Sequence, residues 1–164
     1  MDSIDTFNKL NKSEFLSTFG NVFEKTEWIA EKCYDSKPYN NVQELVNKMM
    51  EVFENSIKEK HLEILNSHPD LAVKKKLTKE SENEQANANL NQCTKEEFEE
   101  FNRLNEKYKK KFGFPFIIAV KGKNKNEILN IFRQRITNNI NLEFEEAKNQ
   151  VKKIATFRLS EIIK

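Results

Sequence analysis

Apolar residues recur at intervals of three and four along almost the whole chain, the repeat that gathers them on one face of a helix. In the stretch opening at Thr94, the residues Phe98, Phe101, Leu104 and Tyr108 fall on one stripe. Near the far end Ala147, Val151, Ile154, Ala155, Leu159 and Ile162 do the same. The pattern predicts helices over about 3–9, 13–20, 26–35, 41–54, 57–67, 78–89, 94–111, 124–138 and 142–163. Three starts carry a capping signal: Asn41 before Glu44, Thr94 before Glu97 and Asn124 before Glu127, each an acceptor three residues ahead of an acid. Gly and Pro number three each, too few for the tight turns of a sandwich or barrel. The expected fold is all-α: one compact multi-helix bundle over 1–164, with no internal repeat and no linker.

One segment breaks the helical pattern. Phe112-Gly113-Phe114-Pro115-Phe116-Ile117-Ile118-Ala119-Val120 is punctuated by Gly and Pro and continues as a short apolar run. By periodicity alone it reads as a buried strand, yet no second convincing strand is available to pair with it. Its backbone N–H and C=O groups therefore need other partners. Two readings stand: a loop closed over by core residues, or a short extended ligand-binding segment near 114–120.

Composition narrows the class of protein. A chain of 164 residues is near the commonest single-domain size and can bury roughly two thirds of its unfolded surface. Phe, at 13, outnumbers Trp, Tyr and Met together, and each buried Phe contributes about 1.5–3 kcal/mol. Lys and Arg total 28 against 26 Asp and Glu. A net charge of +2 gives no field strong enough to imply nucleic acid or a membrane as partner, so any anion site must be local. Cys33 and Cys93 have no CxxC spacing, and neither a secretory signal nor a membrane-length apolar run is read, so a reducing compartment is expected. The ending Glu161-Ile162-Ile163-Lys164 is not a peroxisomal Ser-Lys-Leu signal. The cytoplasm is the expected address.

A few polar residues sit where the pattern asks for something else. Arg158 interrupts the apolar face of the last helix and needs a partner, which could be a structural carboxylate, helix carbonyls or a substrate carboxylate. His68 lies in Ser67-His68-Pro69-Asp70-Leu71-Ala72. Pro69 disfavours helical geometry at the residue before it, so His68 falls at a helix terminus. Imidazole can act there as general acid or base, or merely cap the helix. His61, inside a polar stretch, is expected to be exposed. Ser81, Glu84 and Gln85 at i, i+3 and i+4 place a hydroxyl, a carboxylate and an amide on one helix face, which a solvated surface explains equally well. The two histidines show no HExxH spacing, and there is no phosphate-binding glycine loop, GxGxxG or nucleophile elbow. Neither a metal nor an organic cofactor is expected.

Taken in order, these segments resemble the 2-oxo-4-hydroxy-4-carboxy-5-ureidoimidazoline (OHCU) decarboxylases, which catalyse the last of three steps from urate to allantoin. The resemblance runs from Phe19-Gly20-Asn21-Val22 through His68-Pro69-Asp70-Leu71-Ala72 and Ser81-x-x-Glu84-Gln85. It continues to Leu104-Asn105-x-x-Tyr108, Phe112-Gly113-Phe114-Pro115-Phe116, Val151-Lys152-Lys153-Ile154-Ala155 and Arg158-Leu159. It implies an all-α fold, a homodimer and decarboxylation without metal or organic cofactor, with His68 as catalytic acid/base. Glu84 and Gln85 would contact the substrate and hold it and His68 in productive geometry. Ser81, Glu82 and Asn83 would line the pocket with them, Pro69 would add a contact beside His68, and Arg158 would complete the polar set. Phe116, Ile117, Ile118, Ala119 and Val120 would supply backbone groups to the substrate. Relatives of peroxisomal address leave the compartment open.

The family commonly has Ala-Gly-Leu where this chain has Ala88-Asn89-Leu90. Asn tolerates the left-handed backbone better than most residues, so the same turn is expected. Two rivals remain: a non-catalytic helical interaction domain with Glu84 and Gln85 solvated, and a related decarboxylase of another ureido acid.

Overall fold

In a computed structural model, which describes residues 4–73 and 75–164, all the regular structure is helical. Along the chain come α1 (Ile4–Lys9), α2 (Lys12–Phe19), α3 (Glu27–Asp35), α4 (Val42–Glu54) and α5 (Lys58–Asn66). They are followed by α6 (Lys79–Asn87), α7 (Lys95–Phe112), α8 (Lys125–Arg135) and α9 (Ile140–Ile163). The all-α expectation holds, and the differences are at helix ends. The expected first residue of α1, Ser3, lies outside the described residues. The eighth helix stops at Arg135 rather than 138, because beyond Ile136 the chain tightens into bonds three residues back, Thr137 N–H to Gln134 O at 3.2 Å and Asn138 N–H to Arg135 O at 3.0 Å. Thr94 and Asn124 form complete capping boxes. Asn41 accepts the Glu44 N–H at 2.9 Å, but Glu44 turns its carboxylate to Asn40 instead. Among the described residues no helix is long and apolar enough to cross a membrane.

The chain divides into two units, Met1–Ser67 with Lys152–Lys164, and His68–Val151. The first is built around aromatic contacts. Phe15 meets Phe19 at 4.7 Å between centroids, Phe7 meets Phe19 at 5.2 Å, and Phe23 stacks on Phe53 at 5.2 Å. His61 is buried here, not exposed: its ring lies 5.0 Å from Phe53, and Nε2 is 2.7 Å from the Phe53 carbonyl. A carbonyl only accepts, so Nε2 carries the hydrogen. The polar neighbours in sequence concealed this, because the apolar surface covering His61 comes from α4.

The second unit has Tyr108 at its centre, ringed by Phe112, Phe114, Phe116 and Phe132 at 4.5 to 5.9 Å. Its hydroxyl donates to Glu143 at 2.6 Å. Glu143 is fully buried and also accepts from Arg135 Nε at 2.7 Å and Asn138 Nδ2 at 3.1 Å. Burial, then the Glu143 carboxylate, pushes the Tyr108 phenol above its ordinary range, so the hydroxyl stays a donor.

Candidate active site

His68 sits between the end of α5 and a buried turn. Helix α5 ends at Asn66, with the Ser67 N–H returning to Glu63 O at 3.0 Å, and Pro69 keeps His68 out of helical geometry. His68, Leu71 and Ala72 are all buried. A buried turn must satisfy its backbone polar groups, and two side chains do so here. Gln85 accepts the Ala72 N–H on Oε1 at 3.0 Å and donates Nε2 to the Asp70 carbonyl at 3.1 Å. Asn105 donates Nδ2 to the Leu71 carbonyl at 3.0 Å. The Asp70 carboxylate takes Lys109 Nζ at 2.7 Å. Ala72 adopts φ 56°, left-handed backbone that costs an L-residue roughly 1–2 kcal/mol unless its surroundings hold it.

Helix α6 carries the next group. Thr78 caps it by accepting the Ser81 N–H at 3.3 Å. Ser81 and Gln85, four residues apart, are buried at 4% and 7% exposure, with Glu84 half-buried beside them. A wholly solvated face is therefore excluded. Glu82 and Asn83 are exposed, on the opposite side. Asn89 takes φ 61° and Leu90 N–H closes onto Gln85 O at 2.9 Å, the left-handed helix ending expected of the Asn that replaces Gly.

The 114–120 segment is buried throughout and forms no strand among the described residues. Gly113, at φ 83°, ends α7 and releases the chain into it. Arg135 Nη1 donates to the Ile117 carbonyl at 2.7 Å, and Ala119 N–H donates to Gln150 Oε1 at 2.9 Å. Lys123 Nζ donates to the Ala119 carbonyl at 3.2 Å. These bonds engage alternate residues, 117 and 119, with the two-residue period of an extended chain. Among the described residues the N–H groups of Ile118 and Val120 meet no protein acceptor. Arg135 also lies over the Phe116 ring at 4.4 Å, fixing the segment from its side-chain face.

Arg158 belongs to the first unit. Its Nη1 donates to the Asn21 carbonyl at 2.8 Å and meets the Glu24 carboxylate at 3.2 Å, both groups brought by the stretch after α2. Glu24 is 1% exposed and also accepts from Asn21 Nδ2 at 3.1 Å. Among the alternatives open for this guanidinium, a structural carboxylate is present. Among the described residues no group of three or more His, Cys, Asp or Glu is placed to hold a metal ion.

The sequence passed over Asn105, Arg135, Glu143 and Gln150 as site-supporting residues. Asn105 did leave a trace, since it is a polar residue in register with Phe101 and Tyr108 on a buried face. Gln150 likewise sits between Ala147 and Val151 on the apolar face of α9.

Known proteins resemble this chain over nearly its full length. The Uric acid degradation bifunctional protein of Bacillus sp. (strain TB-90) is 42% identical over 164 residues, covering 100% of this chain, which spans 33% of that protein. The 2-oxo-4-hydroxy-4-carboxy-5-ureidoimidazoline decarboxylase of Haloferax volcanii is 37% identical, with 97% of this chain and 95% of that protein covered. Among solved structures, the crystal structure of (S)-allantoin synthase superposes with a TM-score of 0.76 at 28% identity, over 99% of this chain and 54% of that one. The crystal structure of OHCU decarboxylase in the presence of (S)-allantoin has the same fold, with a TM-score of 0.71 at 24% identity over 89% of this chain and 97% of that one. With the family model for OHCU decarboxylase matching residues 8–160, this chain belongs to the OHCU decarboxylase family.

Proposed function

We propose that the chain, read as one decarboxylase domain over 1–164, decarboxylates OHCU to (S)-allantoin. The observation that carries this reading is the match to the Haloferax volcanii decarboxylase across nearly the whole of both chains. In the reaction the bond between the quaternary ring carbon and its carboxylate breaks and carbon dioxide leaves. The electron pair stays on the ring system until a proton arrives at that carbon. His68 is assigned the proton transfer, and delivery from one face yields one enantiomer, whereas the uncatalysed reaction gives a racemate.

Glu84 is assigned to the substrate's polar edge, with Ser81, Pro69 and the backbone of Glu82 and Asn83 lining the pocket. Gln85, whose amide is bonded to Asp70 and Ala72, acts through the turn that carries His68. Phe116, Ile117, Ile118, Ala119 and Val120 are assigned backbone contacts. The N–H groups of Ile118 and Val120 are the donors best suited to developing negative charge. Arg158 is assigned to a substrate carboxylate on the family pattern. No metal or organic cofactor enters the scheme. The same reading takes the working form as a homodimer in the cytoplasm, with neither nucleic acid nor a membrane as partner.

The test generates OHCU in situ from urate with the two preceding enzymes and adds this protein. Ultraviolet decay is followed alongside the circular dichroism of the product. Rapid decay with a growing (S)-allantoin signal is expected. Decay at the spontaneous rate with racemic product, from folded protein, would overturn the proposal, and turnover of a different ureido acid alone would reassign the substrate.

A further inference from the structure

Asn105 spends half of its amide on the turn after His68 and leaves the other half without a partner. Nδ2 donates to the Leu71 carbonyl at 3.0 Å, while Oδ1 is buried and has no hydrogen-bond partner among the described residues. The side chain cannot be turned over to relieve this, because a carbonyl only accepts and Nδ2 must face Leu71. A hydrogen bond stabilises modestly, and an unsatisfied buried acceptor costs at least as much. The two halves of the amide therefore roughly cancel in the fold's stability. What survives the cancellation is geometry.

Three successive residues are fixed from two helices: Asp70 and Ala72 by Gln85 of α6, and Leu71 by Asn105 of α7. Ala72 is held at φ 56°, where an L-residue does not rest unaided. Releasing Leu71 frees the middle of this turn, and the displacement reaches His68 three residues earlier. We propose that Asn105 is a positioning residue of the decarboxylase site, acting through Leu71 to set the place of the His68 imidazole. The inference rests on the assignment of His68 as the proton-transfer group.

The test is Asn105→Leu, which removes the donor and the orphaned acceptor together at similar volume, measured beside the parent and His68→Asn. The expected result is a Tm within about 5 °C of the parent, a kcat lower by about tenfold or more with KM changed less than about threefold, and a weaker (S)-allantoin signal. Parental kcat in folded Asn105→Leu would overturn the inference, as would a fall in Tm large enough to unfold it at assay temperature. Asn105→Asp gives an independent readout. Its carboxyl donates to Leu71 only when protonated, a form that burial favours. Its kcat should therefore fall with rising pH at constant far-ultraviolet dichroism, relative to the parent's profile, and a superimposable profile would also overturn the inference. An inactive parent, or a fully active His68→Asn, would sink the functional reading itself, whereas an active parent with unaffected Asn105 variants sinks only this inference.

Discussion

The Gln85 side chain bonds Ala72, thirteen residues before it, by accepting its backbone N–H at 3.0 Å. Because the same amide also donates to the Asp70 carbonyl at 3.1 Å, one side chain closes around the turn behind His68. Gln85→Glu keeps the acceptor for Ala72 but places a second acceptor against the Asp70 carbonyl. A charged, 7%-exposed group facing a carbonyl is unfavourable, so we expect a lower Tm together with a kcat reduced by about tenfold or more. Thermal unfolding and steady-state kinetics on the same preparation check this. A change in KM alone would return Gln85 to direct substrate contact.

His68→Asn should remain folded and lose about 10²–10⁴-fold in rate, the usual worth of a positioned acid or base. Circular dichroism of the allantoin formed should fall towards the racemic value. Full stereospecific activity in this variant would remove His68 from the mechanism.

Arg158 and Glu24 are both almost fully buried, with side chains 5% and 0% exposed. Arg158→Leu leaves a buried carboxylate without its guanidinium, and removal of one partner from such a pair costs about 3–5 kcal/mol. The expected result is a large fall in denaturation midpoint, partly restored by adding Glu24→Gln. A midpoint equal to the parent's would show that the pair does not hold the fold and leave Arg158 to substrate alone.

Burial pushes the Cys33 thiol up to about 12, with Lys48 and the Tyr39 hydroxyl opposing. The unfolded chain loses this proton near the ordinary thiol value of 9.0, well before the folded chain does. Stability from this group is thus complete below that value and declines as pH rises through it towards 12. Unfolding at pH 8 and at pH 10 should show the loss, reduced in Cys33→Ala. In native protein near pH 8 a thiol reagent should modify Cys93, which is half-buried, and reach Cys33 only after denaturant is added.

Much of the fold was legible without coordinates because its causes are local. A three-and-four repeat gives the helices, Thr94 and Asn124 set two of the starts, and Asn89 replaces Gly at a left-handed ending because few other residues tolerate it. The candidate chemistry was legible as residue types in order: His68 before Pro69, and Ser81, Glu84 and Gln85 on one turn of helix. The environment of each was not legible. His61 reads as polar surface until Phe53 is laid against it, Gln85 reads as a substrate contact or a solvated amide, and Asn105 as an ordinary helix residue, until the 70–72 carbonyls and N–H groups arrive between them. Local sequence determined which elements form and which side chains share a face. Only the tertiary structure decided which buried backbone groups each polar side chain satisfies, because those partners come from residues up to 137 positions away and no periodicity encodes them.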